Sequence, residues 1–178
     1  MAKISIEYLR SCIRYDSGKL YWLERPKEHF KSDQAYQRWN NMFASKEAGW
    51  LAPNKFGARW RLSVNGVTLP RTSVVWALAN NAWPELNIDH INRECSDDRI
   101  ENLRSATNTQ NNGNMKRSSR NTSGYKGVSF CKSGKKWSAR IKAHGKNHWL
   151  GYFENPSVAH VAYAKAAERL FGEFACAG

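Results

Sequence analysis

The chain has 178 residues, a formal net charge of +13, and 41% hydrophobic and 12% aromatic side chains. That much apolar surface excludes global disorder and suits one or two small domains. No run approaches the roughly eighteen apolar residues of a spanning helix, and a charged N-terminus (Lys3, Glu7, Arg10, Arg14) lacks the apolar stretch of a signal peptide.

In chain order, residues 4–15 read as a short helix, and an Asp-Ser-Gly turn leads to a strand over 18–23. Residues 33–44 place Tyr36, Trp39 and Phe43 at helical spacing, a packing stripe, while Lys27, Lys31 and Arg38 leave nucleic-acid contact open there. Arg59–Val64, Asn65-Gly66 and Val67–Pro70 read as a tight hairpin. Residues 72–80 form a short helix ended by Asn-Asn, followed by the short apolar strand 88–92, a polar loop, Ile100-Glu-Asn-Leu-Arg104, and a Thr/Asn/Gln-rich helix that runs to Asn114. The Ser/Asn/Gly-rich stretch 112–124 reads as a flexible cationic linker. Three strands follow at 125–130, 137–143 and 148–153. A helix then opens with Asn155 as N-cap and Pro156 at its first position, and Gly172 closes it.

Charge is unevenly spread. Residues 1–60 hold 11 basic and 6 acidic side chains, residues 61–112 hold 5 and 6, and residues 113–178 hold 12 and 3, giving net charges of +5, −1 and +9. Between Gly113 and Phe153 lie ten Lys/Arg and no Asp or Glu, interleaved with Tyr125, Phe130, Trp137, Trp149 and Tyr152. Such a segment attracts polyanions and offers rings to bases or sugars. An anionic membrane fits less well, because no basic amphipathic helix lies here. Cys12, Cys95, Cys131 and Cys176 are far apart and form no C-x-x-C pair, so they read as free thiols of a reducing cytoplasm rather than zinc ligands or staples. His29, His144, His148 and His160 lack partners at ligand spacing and read as surface or packing residues.

The near-neutral middle is where chemistry is expected. Asp89 and His90 are adjacent in a short strand, Asn102 follows twelve residues after His90, and Asn111 nine after that. A carboxylate and an amide oxygen are hard donors suited to magnesium, and an imidazole is a natural base for water. Neighbours in a strand face opposite ways, so Asp89 and His90 share a site only if the strand bends or ends there.

The stretch IDHINRECSDDRIENLRSATNTQNN, with LPRTSVVWALANNAWPELN before it, resembles the His-Asn-His (HNH) endonucleases of the ββα-metal group, and in particular phage-type, homing-like members. The resemblance implies that His90 deprotonates water and Asp89 binds one divalent metal ion (Mg2+ or Mn2+). It makes Asn111 the second protein ligand, in an H-N-N version of the motif, and Asn102 the residue that holds the loop and orients His90. The products would be a 5′-phosphate and a 3′-hydroxyl. Arg93 stands where a Gly is common and Asp98 where an Asn usually precedes the Arg; Cys95, in the same loop, has no evident task.

The motifs Y-K-G-V (125–128), K-W-S-A-R-I-K (136–142) and W-L-G-Y-F (149–153), with the Ala-rich helix, resemble the Apetala-type, ethylene-response-factor (ERF) DNA-binding domain. Strand alternation puts Trp137, Ala139, Ile141 and Ala143 on one face and Ser138, Arg140 and Lys142 on the other. Gly151 permits a bulge, which turns Leu150 and Phe153 inward and Trp149 and Tyr152 outward. The resemblance sets Lys126, Arg140, Lys142 and Trp149 at DNA-contacting positions, and the linker cations Lys116, Arg117 and Arg120 suit a phosphate backbone. Ser129 and Cys131 replace arginines of the plant factors, so their base specificity does not carry over.

The expected fold class is α+β: a ββα-metal nuclease domain followed by a small three-stranded antiparallel sheet packed on one helix. The expected divisions are 1–55 as support, 56–115 as nuclease core, 116–124 as basic linker and 125–178 as DNA reader. The functional expectation is a metal-dependent, site-directed endonuclease of the cytoplasm (the host's, if phage-encoded). Its partner is double-stranded DNA, with no membrane and no protein partner implied. Two alternatives remain open: a non-catalytic, sequence-specific DNA-binding regulator on an inactive HNH scaffold, and a structure-specific nickase or RNA-directed nuclease.

Overall fold

Ser5 accepts a hydrogen bond from the Tyr8 N–H and starts helix α1 (Ile6–Cys12), which stops well before Tyr15. The rest of the expected helix is strand β1 (Ile13–Asp16), paired antiparallel with β2 (Lys19–Trp22). The turn between them decides this. Ser17 and Gly18 take φ of 48° and 87°, the paired left-handed geometry that matches hairpin twist. Pairing also carries the β-branched Ile13 into the core, where only 3% of it is exposed.

The computed structural model describes residues 4–53 and 58–178, so the boundary expected between 55 and 56 lies outside the described residues. Contacts divide the chain into two units, 1–105 and 106–178. In the first, α2 (Asp33–Phe43), capped by Ser32, sets Trp39 edge-on to Trp22 at 5.3 Å. Strands β3 (Trp50–Ala52), β4 (Arg59–Val64) and β5 (Val67–Pro70) form an antiparallel sheet, with the β4–β5 hairpin turning on Asn65 and Gly66 at positive φ as expected. Helix α3 (Arg71–Asn80) ends on a left-handed Asn81, and β6 (Asn87–His90) pairs with β7 (Leu103–Ala106). Leu9, Leu20, Leu62, Val64, Val74 and Val75 are the fully buried centre.

In the second unit, α4 (Asn108–Asn114) opens with a capping box of Thr107 and Gln110. Strands β8 (Val128–Cys131), β9 (Lys136–Ala143) and β10 (Lys146–Phe153) form an antiparallel sheet in the order β10-β9-β8. Helix α5 (Pro156–Phe171), capped by Asn155 and ended by Gly172, lays Ala159, Tyr163, Ala166 and Ala167 on that sheet. The approach is close: at Gly127, with φ 71°, a Cβ would overlap the Tyr163 ring. The fold is thus α+β, with small antiparallel sheets and helices. Among the described residues no helix is long and apolar enough to cross a membrane.

The stretch expected to be a flexible linker is instead stitched to the start of β8. The Asn121 amide donates to the Tyr125 carbonyl at 2.9 Å, and the Ser123 hydroxyl reaches the carbonyls of Tyr125 and Val128 at 2.9 and 2.8 Å. Asn121 and Ser123 turn their polar side chains to main chain, which composition alone does not distinguish.

Candidate active site and candidate nucleic-acid interface

Strand β6 buries Ile88, Asp89 and His90 and ends at His90. The Arg93 N–H then closes a turn onto the His90 carbonyl at 3.0 Å, with Arg93 at φ 66°. Arg93 thus takes the left-handed geometry that glycine adopts without steric cost.

Asp89 and His90 find different partners. Asp89 Oδ2 accepts from Arg104 Nε at 3.1 Å. His90 Nε2 lies 2.7 Å from Asp98 Oδ1, and Asp98 Oδ2 accepts from Arg71 Nε at 2.6 Å. Arg71 also donates to Glu47 at 2.9 Å and lies over the Trp60 ring at 4.3 Å. Arg71 and Asp98 are 2% and 1% exposed, so each is the other's replacement for water. Breaking such a buried pair from one side costs about 3–5 kcal/mol.

Asn102 closes the loop between the strands. Its Oδ1 accepts from the Asn92 N–H at 2.9 Å, and its Nδ2 donates to the Asp97 carbonyl at 2.7 Å and to Asn92 Oδ1 at 3.0 Å. Arg99 grips Asp97 through Nε and Nη2 at 2.8 and 2.9 Å, and this pairing holds the Asp97 carboxyl far below the usual carboxylate range despite some opposing desolvation. The β1–β2 hairpin backs the loop: the Tyr15 hydroxyl accepts from the Ile100 N–H at 3.0 Å, and a Cβ on Gly18 would press on the Arg99 backbone. A cavity of about 130 Å³ adjoins His90 and Asp98, lined also by Arg59, Arg61, Thr72 and Cys95.

Asn111 lies in the second unit, half-buried on α4, its N–H bonded to the Thr107 carbonyl at 2.9 Å. Among the described residues no three His, Cys, Asp or Glu side chains gather as a metal-binding group. In the first unit the carboxylate of Asp89 is a hard oxygen donor, of the kind that suits a divalent cation that keeps several waters and takes phosphate oxygens.

The sequence reading missed Arg71, Asp98 as a partner, Glu47 and Arg104. One signal was available: Arg71 is the first residue of α3, where the helix dipole disfavours a cation, so a buried acidic partner is called for.

In the second unit the expected bulge falls between Trp149 and Gly151. Arg140 pairs across strands with Trp149, Ser138 with Tyr152, and Lys142 with Asn147, so these share the outer face. Trp149 and Tyr152 are 56% and 55% exposed, and their rings meet edge-on at 4.8 Å. Trp137 lies half-buried on the helix side, against Phe153 and Phe130. Lys116, Arg117 and Arg120 are exposed, and Arg117 leans on the Asn121 carbonyl at 3.4 Å. At the sheet edge the Cys131 thiol is shifted down by hydrogen bonding with the Ser133 hydroxyl, the Gly134 N–H and the Tyr152 hydroxyl, in that order.

Lys126, expected at the DNA, differs. Its ammonium donates to the carbonyls of Gly113 at 3.0 Å, Cys176 at 2.9 Å and Met115. Three donors meet three carbonyls, so this cation ties the end of α4 and the C-terminus together within its unit.

A family model described as HNH endonuclease matches residues 73–113. Protein 3.8 of Escherichia phage T7 is 37% identical over 108 residues, an alignment covering 60% of this chain and 88% of that protein. No solved structure matches.

Proposed function

The chain belongs to one family with Protein 3.8 of phage T7 and carries an HNH endonuclease domain, and we propose that it is a metal-dependent DNA endonuclease whose second unit binds duplex DNA. The observation that carries this reading is the end of β6. There Asp89 and His90 stand buried and side by side, and Asn102 pins the loop that follows, all within the matched span.

His90 is the base. It takes a proton from water, the oxygen attacks phosphorus, the bond to the 3′ oxygen breaks, and that oxygen takes up a proton from solvent, which leaves a 3′-hydroxyl and a 5′-phosphate. Asp89 would hold one Mg2+ or Mn2+ ion, with Asn111 proposed as a second ligand from its place in the motif alone; Arg104 bonds the same Asp89 carboxylate. The ion supplies charge neutralisation at the phosphate and at the leaving oxygen. Asn102 acts through the loop, fixing where His90 sits.

Arg140, Lys142, Trp149 and Tyr152 form the proposed DNA face of an ERF-like sheet, with Lys116, Arg117 and Arg120 on the adjoining backbone. Cations contact phosphate, and the two exposed rings pack on sugar or base edges. The test is cleavage of supercoiled plasmid carrying the natural flanking DNA, with Mg2+. Wild type yields nicked or linear product, while His90→Ala and an EDTA control yield none. Retardation of DNA by all three without cleavage favours the regulator reading.

A further inference from the structure

We propose that Asp98 is the positioning residue that fixes the tautomer of His90, and that Arg71 dictates how Asp98 does so; this rests on His90 as the base. The chain of contacts runs Glu47, Arg71, Asp98, His90, with distances of 2.9, 2.6 and 2.7 Å along it. Arg71 can only donate. Asp98, facing that guanidinium with one oxygen, stands as a carboxylate and can only accept. His90 must therefore donate from Nε2, and the ring of neutral His90 carries its lone pair on Nδ1. Only that nitrogen can then take a proton from water.

Burial makes the assignment rigid. His90, Asp98 and Arg71 are 5%, 1% and 2% exposed, so water does not supply an alternative partner for Nε2. The device belongs to this chain's own residues. The cation that orients Asp98 comes from the start of α3, 27 positions earlier. Asn is isosteric with Asp, which makes Asp98→Asn the informative substitution. Its carbonyl must turn to Arg71, because Arg71 offers only donors. Its amide then donates to Nε2, and the ring proton moves to Nδ1, where it blocks the base. The same logic applies to an Asp-to-Asn change behind a catalytic His in serine proteases, where the wrong tautomer costs about 10⁴ in kcat.

The measurement is long-range ¹⁵N–¹H correlation spectroscopy of the imidazole nitrogens in the full chain, followed over a pH series and read in the form that has one unprotonated ring nitrogen. Assignment comes from loss of the signal in His90→Gln. The wild type should show a protonated Nε2 and an unprotonated Nδ1, and Asp98→Asn should exchange the two with the melting profile kept. A protonated Nδ1 in the wild type overturns the proposal, as does an unchanged tautomer in a folded Asp98→Asn. Should that variant fail to fold, the wild-type spectrum alone decides. In the cleavage assay Asp98→Asn should lower kcat by about 10²-fold or more and leave KM within about twofold. A wild type that shows the expected tautomer yet cuts no DNA removes the nuclease reading and leaves the tautomer assignment standing.

Discussion

At the residue scale, Asn102 shows how one amide can specify a loop. It presents an acceptor to the Asn92 N–H and a donor to the Asp97 carbonyl, and it is 7% exposed. Removing it strands both main-chain groups, so Asn102→Ala should destabilise the fold by about 2–3 kcal/mol in denaturant titration. Cleavage should fall further than stability, because the loop holds Asp98 behind His90. The same loop carries a pH signature. Arg99 lowers the Asp97 carboxyl in the folded state, so the ionised form favours folding above the ordinary carboxylate pKa of about 3.9. That contribution is present at neutral pH and is lost as pH falls below this range towards the folded value. Solvent screens the pair, so its share of stability is small. Carboxyl ¹³C titration should place Asp97 below the ordinary carboxylate range, and Arg99→Gln should return it towards that range.

At the element scale, the three-stranded sheet separates two kinds of lysine. Lys142 projects from the outer face beside Arg140, while Lys126 is bound to three carbonyls. Lys126→Met should therefore destabilise the protein by about 2–3 kcal/mol and leave the salt dependence of DNA binding unchanged. Removing Arg140 and Lys142 should do the reverse, lowering the slope of log K against log salt by about 2 with little loss of stability. Cys131 reports on the same face. Its thiol is shifted down and only partly covered, whereas Cys12 and Cys176 are buried. Duplex DNA should protect Cys131 from iodoacetamide, read by peptide mass spectrometry, and Tyr152→Phe should slow its alkylation in free protein. Strand alternation and the Gly151 bulge made this face legible in the sequence, because both are local. The bonding of Lys126 was not legible, since its three carbonyls come from residues up to 50 positions away.

At the scale of the whole molecule, the same division runs through the site. The Asn65-Gly66 hairpin and the Asn155–Pro156 helix start are local chemistry, and the structure has both where the sequence places them. The first helix was overextended because the Ser17-Gly18 turn and a partner strand outweigh propensity. The His90–Asp98–Arg71 chain was missed because a contact 27 residues long leaves no periodic trace. Charge is the property that sequence shows best at this scale, and under the proposed function it separates two tasks. Residues 61–112 carry a net charge of −1 and residues 113–178 one of +9. Salt should therefore act on encounter with DNA rather than on bond cleavage. In single-turnover cleavage, raising salt from about 50 to 200 mM should increase the protein concentration needed for half-maximal rate by an order of magnitude or more. The rate at saturation should stay within about twofold. Arg140→Ala/Lys142→Ala should reproduce the first effect at low salt, while Asp98→Asn should change only the saturated rate. A saturated rate that fell with salt as steeply as affinity would place the cations in the chemical step and remove this division of tasks.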